Sequence, residues 1–549
     1  MKKTLLVAGV LSIIFSACQK KQETQSMLDQ KVAQFSPTVL KYDESILDDR
    51  QKKVVSLLTE AAKVMDEIFL EQVFSKNKEI KTKLENSSNE NDKKVLKYFE
   101  VMYGPFDRLD HNKAFYGDYK KPAGANYYPE DMTKEEFEKW IDDHPEDRDS
   151  FVSEFTVIRR KDDKLVAIPY SEYYKEPLGR ATKLLREAAQ YADNPTLKRY
   201  LETRATAFET NDYFESDMAW MDLKDHSIEV VIGPYEVYED EMFNYKAAFE
   251  CFLTIRDPKE SEKLKIFGSY LNEMEKHLPI PDEHKNFNRG SESPIVVVQE
   301  VLYSGDTKAG IQTIAFNLPN DERVREAKGS KKVMLKSLHE AKFEKQVIPI
   351  AKIILNEKEI PNVTFDGFFN HTLMHEMTHG IGPGKIIKDG NKTEVKIELK
   401  ETYSTIEECK ADVLGMYNNL LMIEKGVYPK EFEKEIWPSF LAGIFRSIRF
   451  GINEAHGGGN ALIFNYLYEN GAYTFDEKTE KLNIDYSKIK EVLKSLAGEL
   501  LMIQANGDYE GSKAIMAKYI VMSDVMTKLV DKLSDIPVDI KPIFQSEQK

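Results

Sequence analysis

A chain of 549 residues exceeds one ordinary hydrophobic core and points to two or more lobes. Its 77 basic residues are outnumbered by 93 acidic ones, a net of −16 that repels phosphate backbones and argues against nucleic acid as a partner. With 41% hydrophobic, 31% charged and 11% aromatic residues, the composition is that of a folded globular protein and not of a disordered one.

At the start, Lys2 and Lys3 precede an apolar run from Leu5 to Phe15, the pattern of a signal peptide over 1–17 that is too short to span a bilayer. The next residues, Phe15-Ser16-Ala17-Cys18, resemble the lipobox of bacterial lipoproteins. That resemblance implies acylation of Cys18 and a protein anchored by lipid at the bacterial cell envelope, periplasmic or surface-exposed. An ordinary cleaved signal with an incidental cysteine is the alternative. Membrane contact is expected through this anchor only. Residues 18–37, rich in Gln, Lys, Ser and Thr, read as a flexible tether. Cys251 and Cys409 are too few and too far apart for a disulfide framework and are expected to be buried thiols.

Beyond the tether, Val54, Leu57, Leu58, Ala61, Val64, Met65 and Ile68 fall at helical spacing and predict an amphipathic helix over Ile46 to Phe74. Gly, Pro and Tyr from Gly104 to Asp131 mark a long loop, and Thr133 with Glu136 offers a capping box for the next helix. A helical stretch from Leu178 to Phe208 leads into β-branched runs. Strands are expected at 227–232, 248–256, 293–303 and 312–317, which places a sheet or small barrel in the middle third. From Phe365 onward the pattern is almost wholly helical.

Within that region lies His375-Glu376-Met377-Thr378-His379. Histidines four apart project from one helix face, close enough to hold one zinc ion, and Glu376 between them can reach a water on the metal. Zinc lowers the pKa of such a water and the carboxylate takes its proton as hydroxide attacks a peptide carbonyl, the logic of the HExxH motif. His371 adds a third imidazole on the same face, read as a packing or ligand-orienting residue with a spare ligand as the alternative. A third ligand is expected on another helix. Glu401 to Lys425, ending at Gly426, supplies one with an apolar stripe through Ile406, Cys409, Val413, Met416, Tyr417 and Leu420. Glu408 and Asp412 share a face beside that stripe; taken alone, they read as a solvated acidic face. Gly380-Ile381-Gly382-Pro383-Gly384-Lys385 looks like a phosphate loop but lacks the preceding strand and the following Ser or Thr, so it reads as the turn closing the metal helix.

The pairing of His375-Glu376-x-x-His379-Gly380 with Glu407-Glu408-Cys409-Lys410-Ala411-Asp412 resembles the dipeptidyl peptidase III family of zinc exopeptidases. The likeness continues in Gly233-Pro234-Tyr235 running to Phe249-Glu250, in Asn317-Leu318-Pro319-Asn320 and in Glu454-Ala455-His456, and so covers most of the chain. It implies one zinc held by His375, His379 and Glu408, Glu376 as general base, and Glu407 and Asp412 orienting the imidazoles. It further implies that Tyr235 hydrogen-bonds near the scissile carbonyl, that His456 steadies the oxyanion, and that Asn317 and Asn320 hold the peptide backbone and amino end. The implied fold is α+β, two lobes with a wide cleft: a mixed lobe of 38–252 and 301–348 with a small barrel or sheet, and a helical zinc lobe of 253–300 and 349–549. The implied substrates are short peptides losing dipeptides from their N-termini.

Two departures bear on this expectation. The family usually carries HExxGH, one residue longer, so the regular helical spacing here keeps zinc binding and loses a helix bulge. Where the family places a Glu two residues before the Tyr, to meet the substrate amine, this chain has Gly233; Glu236 and Glu239 are the nearest carboxylates that could take its place. No match appears for a C-terminal arginine that binds peptides in longer members. A zinc aminopeptidase, a cell-envelope peptide hydrolase of different cut and a non-catalytic peptide-binding lipoprotein therefore remain the alternatives.

Overall fold

The computed structural model describes residues 27–162, 164–287 and 294–548, so the signal segment 1–17 and Cys18 lie outside the described residues. No described helix is long and apolar enough to cross a membrane. The architecture is α+β. Two compact units emerge, the first of Met1–Arg256, Val298–Lys332 and Asp539–Lys549, the second of Asp257–Val297 and Val333–Val538.

In the first unit the N-terminal strand Phe35–Leu40 pairs in parallel with the C-terminal strand Asp539–Phe544. The tether expected through Pro37 therefore stops short, because residues 27–33 are helical and Leu28 and Phe35 are buried with Phe69 and Tyr98. A polar composition hid these two apolar anchors. Helix α1, Asp49–Val73, begins at Asp48, which forms a reciprocal capping box with Gln51. All seven residues of its expected apolar face are buried, and full burial of a large aliphatic side chain contributes about 1.5–3 kcal/mol. The helical stretch after Leu178 is two helices, α2 (Lys175–Tyr191) and α3 (Pro195–Thr210). Pro195 sits in the first turn of α3, where its missing N–H costs nothing, and Asn194 caps the N–H groups of Thr196 and Leu197.

The sheet lies in the middle third. Strands β1 (Ile228–Glu236), β2 (Ala248–Arg256), β3 (Ile295–Gly305), β4 (Ala315–Leu318) and β5 (Lys331–Leu335) follow the order β1-β2-β3-β5-β4 and curl into a half-barrel. β1 and β2 run antiparallel with Gly233 opposite Glu250, and the register slips between Pro234 and Glu236. Strand β5 escapes the sequence pattern because it opens on two lysines. Lys331 is nonetheless buried, its ammonium 3.0 Å from Glu229 of β1 and 3.9 Å from the ring centre of Trp220.

The second unit is a helical assembly of α4 (Phe365–Thr378), α5 (Tyr403–Glu424), α6 (Glu433–Ile448), α7 (Ala455–Glu469) and α8 (Ile489–Asn506), with the hairpin β6 (Lys385–Lys388) and β7 (Asn391–Glu394) after α4. Helix α5 packs on α4, α7 and α8. The units change over after Arg256, Val297, Lys332 and Val538, against expected changes at 252, 300 and 348. Residues 333–348 join the helical unit because Lys336 pairs with Asp257 and Glu260 at 3.0 and 3.1 Å and His339 packs edge-on against Phe369 of α4. The chain end returns to the first unit through its parallel strand pairing, so the helical unit stops at Val538 and not at 549.

Candidate active site and metal centre

Helix α4 starts at Thr364, whose hydroxyl accepts from the Gly367 N–H, and runs through Thr378 with His379 as its C-cap. It is apolar nearly all round, as a helix packed on several neighbours must be. Two glycines bring helices together here, α5 onto α4 and α7 onto α5. A Cβ on Gly415 would sit 3.1 Å from the His375 nitrogen, and one on Gly459 would sit 3.1 Å from the Cys409 nitrogen. Backbones at this range place Glu408 and Asp412 of α5 directly against the histidines.

His375, His379 and Glu408 each offer a donor atom, all within 4.8 Å of one another. His375 Nε2 lies 3.2 Å and His379 Nε2 3.9 Å from Glu408 Oε2. The opposite ring nitrogens are occupied: His375 Nδ1 is 2.8 Å from Asp412 Oδ1, and His379 Nδ1 is 2.9 Å from Glu407 Oε1. These bonds fix which nitrogen faces the centre and raise its basicity toward a metal. Each carboxylate is held in turn. Asn460 Nδ2 donates to Asp412 Oδ2 at 3.0 Å, and Glu407 receives Lys410 Nζ and Gln504 Nε2 at 2.8 Å each.

The charges fit a dication. Burial opposes ionisation of Glu407, yet Lys410 and His379 outweigh it and hold the carboxyl at about 2. Burial likewise opposes ionisation of Asp412, which His375 holds at about 2, and these carboxylates favour a cation at His375, a proton that a bound metal would displace. Glu408 Oε2 is buried without a hydrogen-bond partner. An unsatisfied buried carboxylate oxygen facing two oriented imidazoles is the donor set of a three-ligand metal site. His371 is not part of it: its Nε2 faces the Asp412 carbonyl at 3.1 Å and its ring packs on Phe440, which makes it a packing and bracing residue. His456, at the first turn of α7, brings Nδ1 to 3.3 Å from Glu408 and stays largely exposed. Glu376 is half-buried on α4 between the two histidines. Seven of the expected residues, His375, Glu376, His379, Glu407, Glu408, Asp412 and His456, thus belong to the helical unit.

Tyr235, Asn317 and Asn320 belong to the other unit. Tyr235 is only 6% exposed, hydrogen-bonds the buried Asp217 carboxylate and lies under the Arg204 guanidinium at 5.4 Å. Asn320 Nδ2 donates to the Tyr235 carbonyl at 3.0 Å and also bonds Glu236. Asn317 is exposed. Tyr238, three residues after Tyr235, is 74% exposed. Glu239 is spoken for, 2.8 Å from both Arg108 and Lys121.

Comparison with known proteins places this arrangement. The model of peptidase family M49 matches residues 131–403. A solved structure of DPP III from Caldithrix abyssi is 66% identical, covers 95% of this chain and 99% of its own, and superposes with a TM-score of 0.91. The chain belongs to peptidase family M49. A second solved structure, dipeptidyl-peptidase III from Corallococcus sp. strain EGB, is 42% identical over 95% of this chain and 98% of its own, with a TM-score of 0.76. A curated relative, Nudix hydrolase 3 of Arabidopsis thaliana, is 38% identical over 591 residues, 97% of this chain and 76% of that protein. Its Nudix name describes that protein; the M49 site here is that of a metallopeptidase.

Sequence reasoning missed the residues that hold the M49 carboxylates. Lys410 was within reach, three residues after Glu407 and on the same helical face. Asn460 and Gln504 carry no local signal, since they arrive from α7 and α8.

Proposed function

We propose that the protein is a zinc-dependent exopeptidase of the dipeptidyl-peptidase type, releasing dipeptides from the N-termini of short peptides. The observation that carries this reading is the triangle of His375, His379 and Glu408, with both imidazoles oriented from behind by Asp412 and Glu407. Family membership supports peptide hydrolysis, and the two solved relatives named as dipeptidyl peptidases support the cut. Zinc bound there supplies a Lewis acid that polarises the scissile carbonyl and lowers the pKa of water. Glu376 accepts the proton of the attacking water on its carboxylate and delivers it to the leaving nitrogen. His456, exposed beside Glu408, donates to the oxygen that gains charge.

The amine end is read by Glu236, Tyr238 and Asn320. Glu236 stands two residues before Tyr238, the spacing that Gly233 and Tyr235 fail to supply, so the family pattern is met three residues further along β1 and its following turn. Tyr235, with its hydroxyl on Asp217 and its ring on Arg204, is a packing residue. Burial raises the Glu236 carboxyl and the Asn320 hydrogen bond lowers it, and a bound ammonium would favour the charged form further. Mass spectrometry of products from an unbiased peptide mixture, with Glu376→Gln as control, tests the reading. Dipeptides should accumulate only with the unmodified protein; single amino acids or internal cuts would overturn the dipeptide assignment. The proposal extends to an acyl anchor on Cys18, for which Cys18→Ser should move the protein from the membrane to the soluble fraction.

A further inference from the structure

The first unit holds a fully buried charge that the catalytic reading does not use. Arg204 of α3 is shielded from solvent, and its Nη2 donates to Asp217 on the short helix Phe214–Met221. Its Nε and Nη1 have no hydrogen-bond partner. Three tyrosine rings stand round the guanidinium instead, Tyr213 at 5.2 Å, Tyr235 at 5.4 Å and Tyr200 at 5.6 Å, and their faces offset part of the desolvation. A neutral pair of similar volume commonly fills such a position with no loss of stability. Stability alone does not account for an arginine here.

Its neighbours in the sheet give the reason. Nη1 takes the space that a side chain at position 233 would need, since a Cβ built on Gly233 would lie 2.5 Å from it. Tyr235, two residues on, lies where β1 slips register against β2, with its ring on the guanidinium and its hydroxyl on Asp217. Its carbonyl accepts from Asn320 Nδ2 at 3.0 Å, and Asn320 also bonds Glu236, the next residue of the strand. Arg204 is therefore the post against which the irregular end of β1 is set, and Glu236 and Tyr238 follow directly from that end.

We infer that Arg204 is a positioning residue for recognition of the substrate amine: by bracing Gly233 and the Tyr235 ring, it fixes where the Glu236 carboxylate stands relative to Asn320. The inference rests on the reading of the amine end given above and names what holds that end in place. Being fully buried, Arg204 touches no substrate, so its loss acts on substrate binding and not on the bond-breaking step.

Arg204→Met combined with Asp217→Asn removes both buried charges and keeps an acceptor for the Tyr235 hydroxyl, so the full-length variant should melt at the ordinary temperature or above. With zinc bound, its KM for a dipeptidyl-naphthylamide should rise about tenfold while kcat stays within about twofold. Calorimetry on the Glu376→Gln background adds a second readout: the preference for a pentapeptide with a free amine over its N-acetyl form should fall by about tenfold in the variant. Should the double variant melt lower, Arg204→Lys, which keeps a cation beside Asp217 but withdraws Nη1 from Gly233, is held to the same direction of change in KM and in amine preference. An unchanged KM, a fall in kcat alone, or an amine preference that survives would each overturn the inference. Equal binding of both peptide forms by the protein with Arg204 intact would overturn the reading of the amine end itself, and the inference with it.

Discussion

Gln504 offers a test of how the metal centre is built from behind. Its side chain is fully buried, and Nε2 donates to Glu407 Oε2 at 2.8 Å, while Glu407 Oε1 holds His379 Nδ1 at 2.9 Å. Gln504→Leu keeps the volume and removes the donor. A hydrogen bond to a charged group contributes about 1.5–3 kcal/mol, and loss of an orienting partner behind a metal ligand costs about 10–100-fold in metal affinity, which is the same range in energy. The fold should be less affected, because Gln504 Oε1 has no partner in its buried position and leucine removes that unsatisfied acceptor. Lys410 still braces the other side of Glu407 at 2.8 Å, so zinc binding should weaken without being abolished. Chelator competition at neutral pH measures the affinity, and thermal melting of the metal-free protein measures the fold. Zinc affinity within about twofold of the unmodified protein, at equal stability, would refute the view that Glu407 needs both donors.

Replacing Glu408 by Ala removes one of three ligands and should drop zinc content far below one per chain after dialysis; full retention, measured by elemental analysis, would remove Glu408 from the ligand set. Tyr238→Phe should lower kcat/KM for dipeptidyl-naphthylamides by about tenfold or more with little change in melting temperature, whereas Tyr235→Phe, which strips a donor from the buried Asp217, should act on stability by about 1–3 kcal/mol. The reverse pattern would restore Tyr235 as the substrate tyrosine. Asp306 governs part of the pH dependence: burial and the neighbouring Glu239 raise its carboxyl from 3.8 to about 7 against the pull of Arg108. A raised carboxyl contributes its stability in full below the unfolded value and loses it as pH rises through the folded one. Asp306→Asn should therefore gain about 2 kcal/mol over the unmodified protein at about pH 8 and nothing near pH 4, the figure being reduced because Asp306 is only half-buried. Denaturant titrations at the two pH values read the difference.

The sequence by itself determined what rests on local periodicity and fixed spacing. The apolar face of α1 and the β-branched runs of β1 and β2 required no knowledge of their partners, because a 3.6-residue or two-residue repeat already says which side must be buried. The histidines of α4 were legible for the same reason, and the acidic string from Glu407 to Asp412 was legible as a family motif. Tertiary structure decided whatever depends on elements distant in the chain. Leu28 and Phe35 look like part of a polar tether until the core around Phe69 and Tyr98 receives them. Lys331 looks like a surface lysine until Glu229 and Trp220 close around it. Tyr235 reads as an accessible tyrosine in sequence, and only the fold buries it against Asp217 and Arg204 while leaving Tyr238 exposed. The donors Asn460 and Gln504 are invisible in sequence because each hydrogen bond is set by where its helix crosses α5, α7 at the close contact of Gly459 with Cys409 and α8 along its own packing on α5.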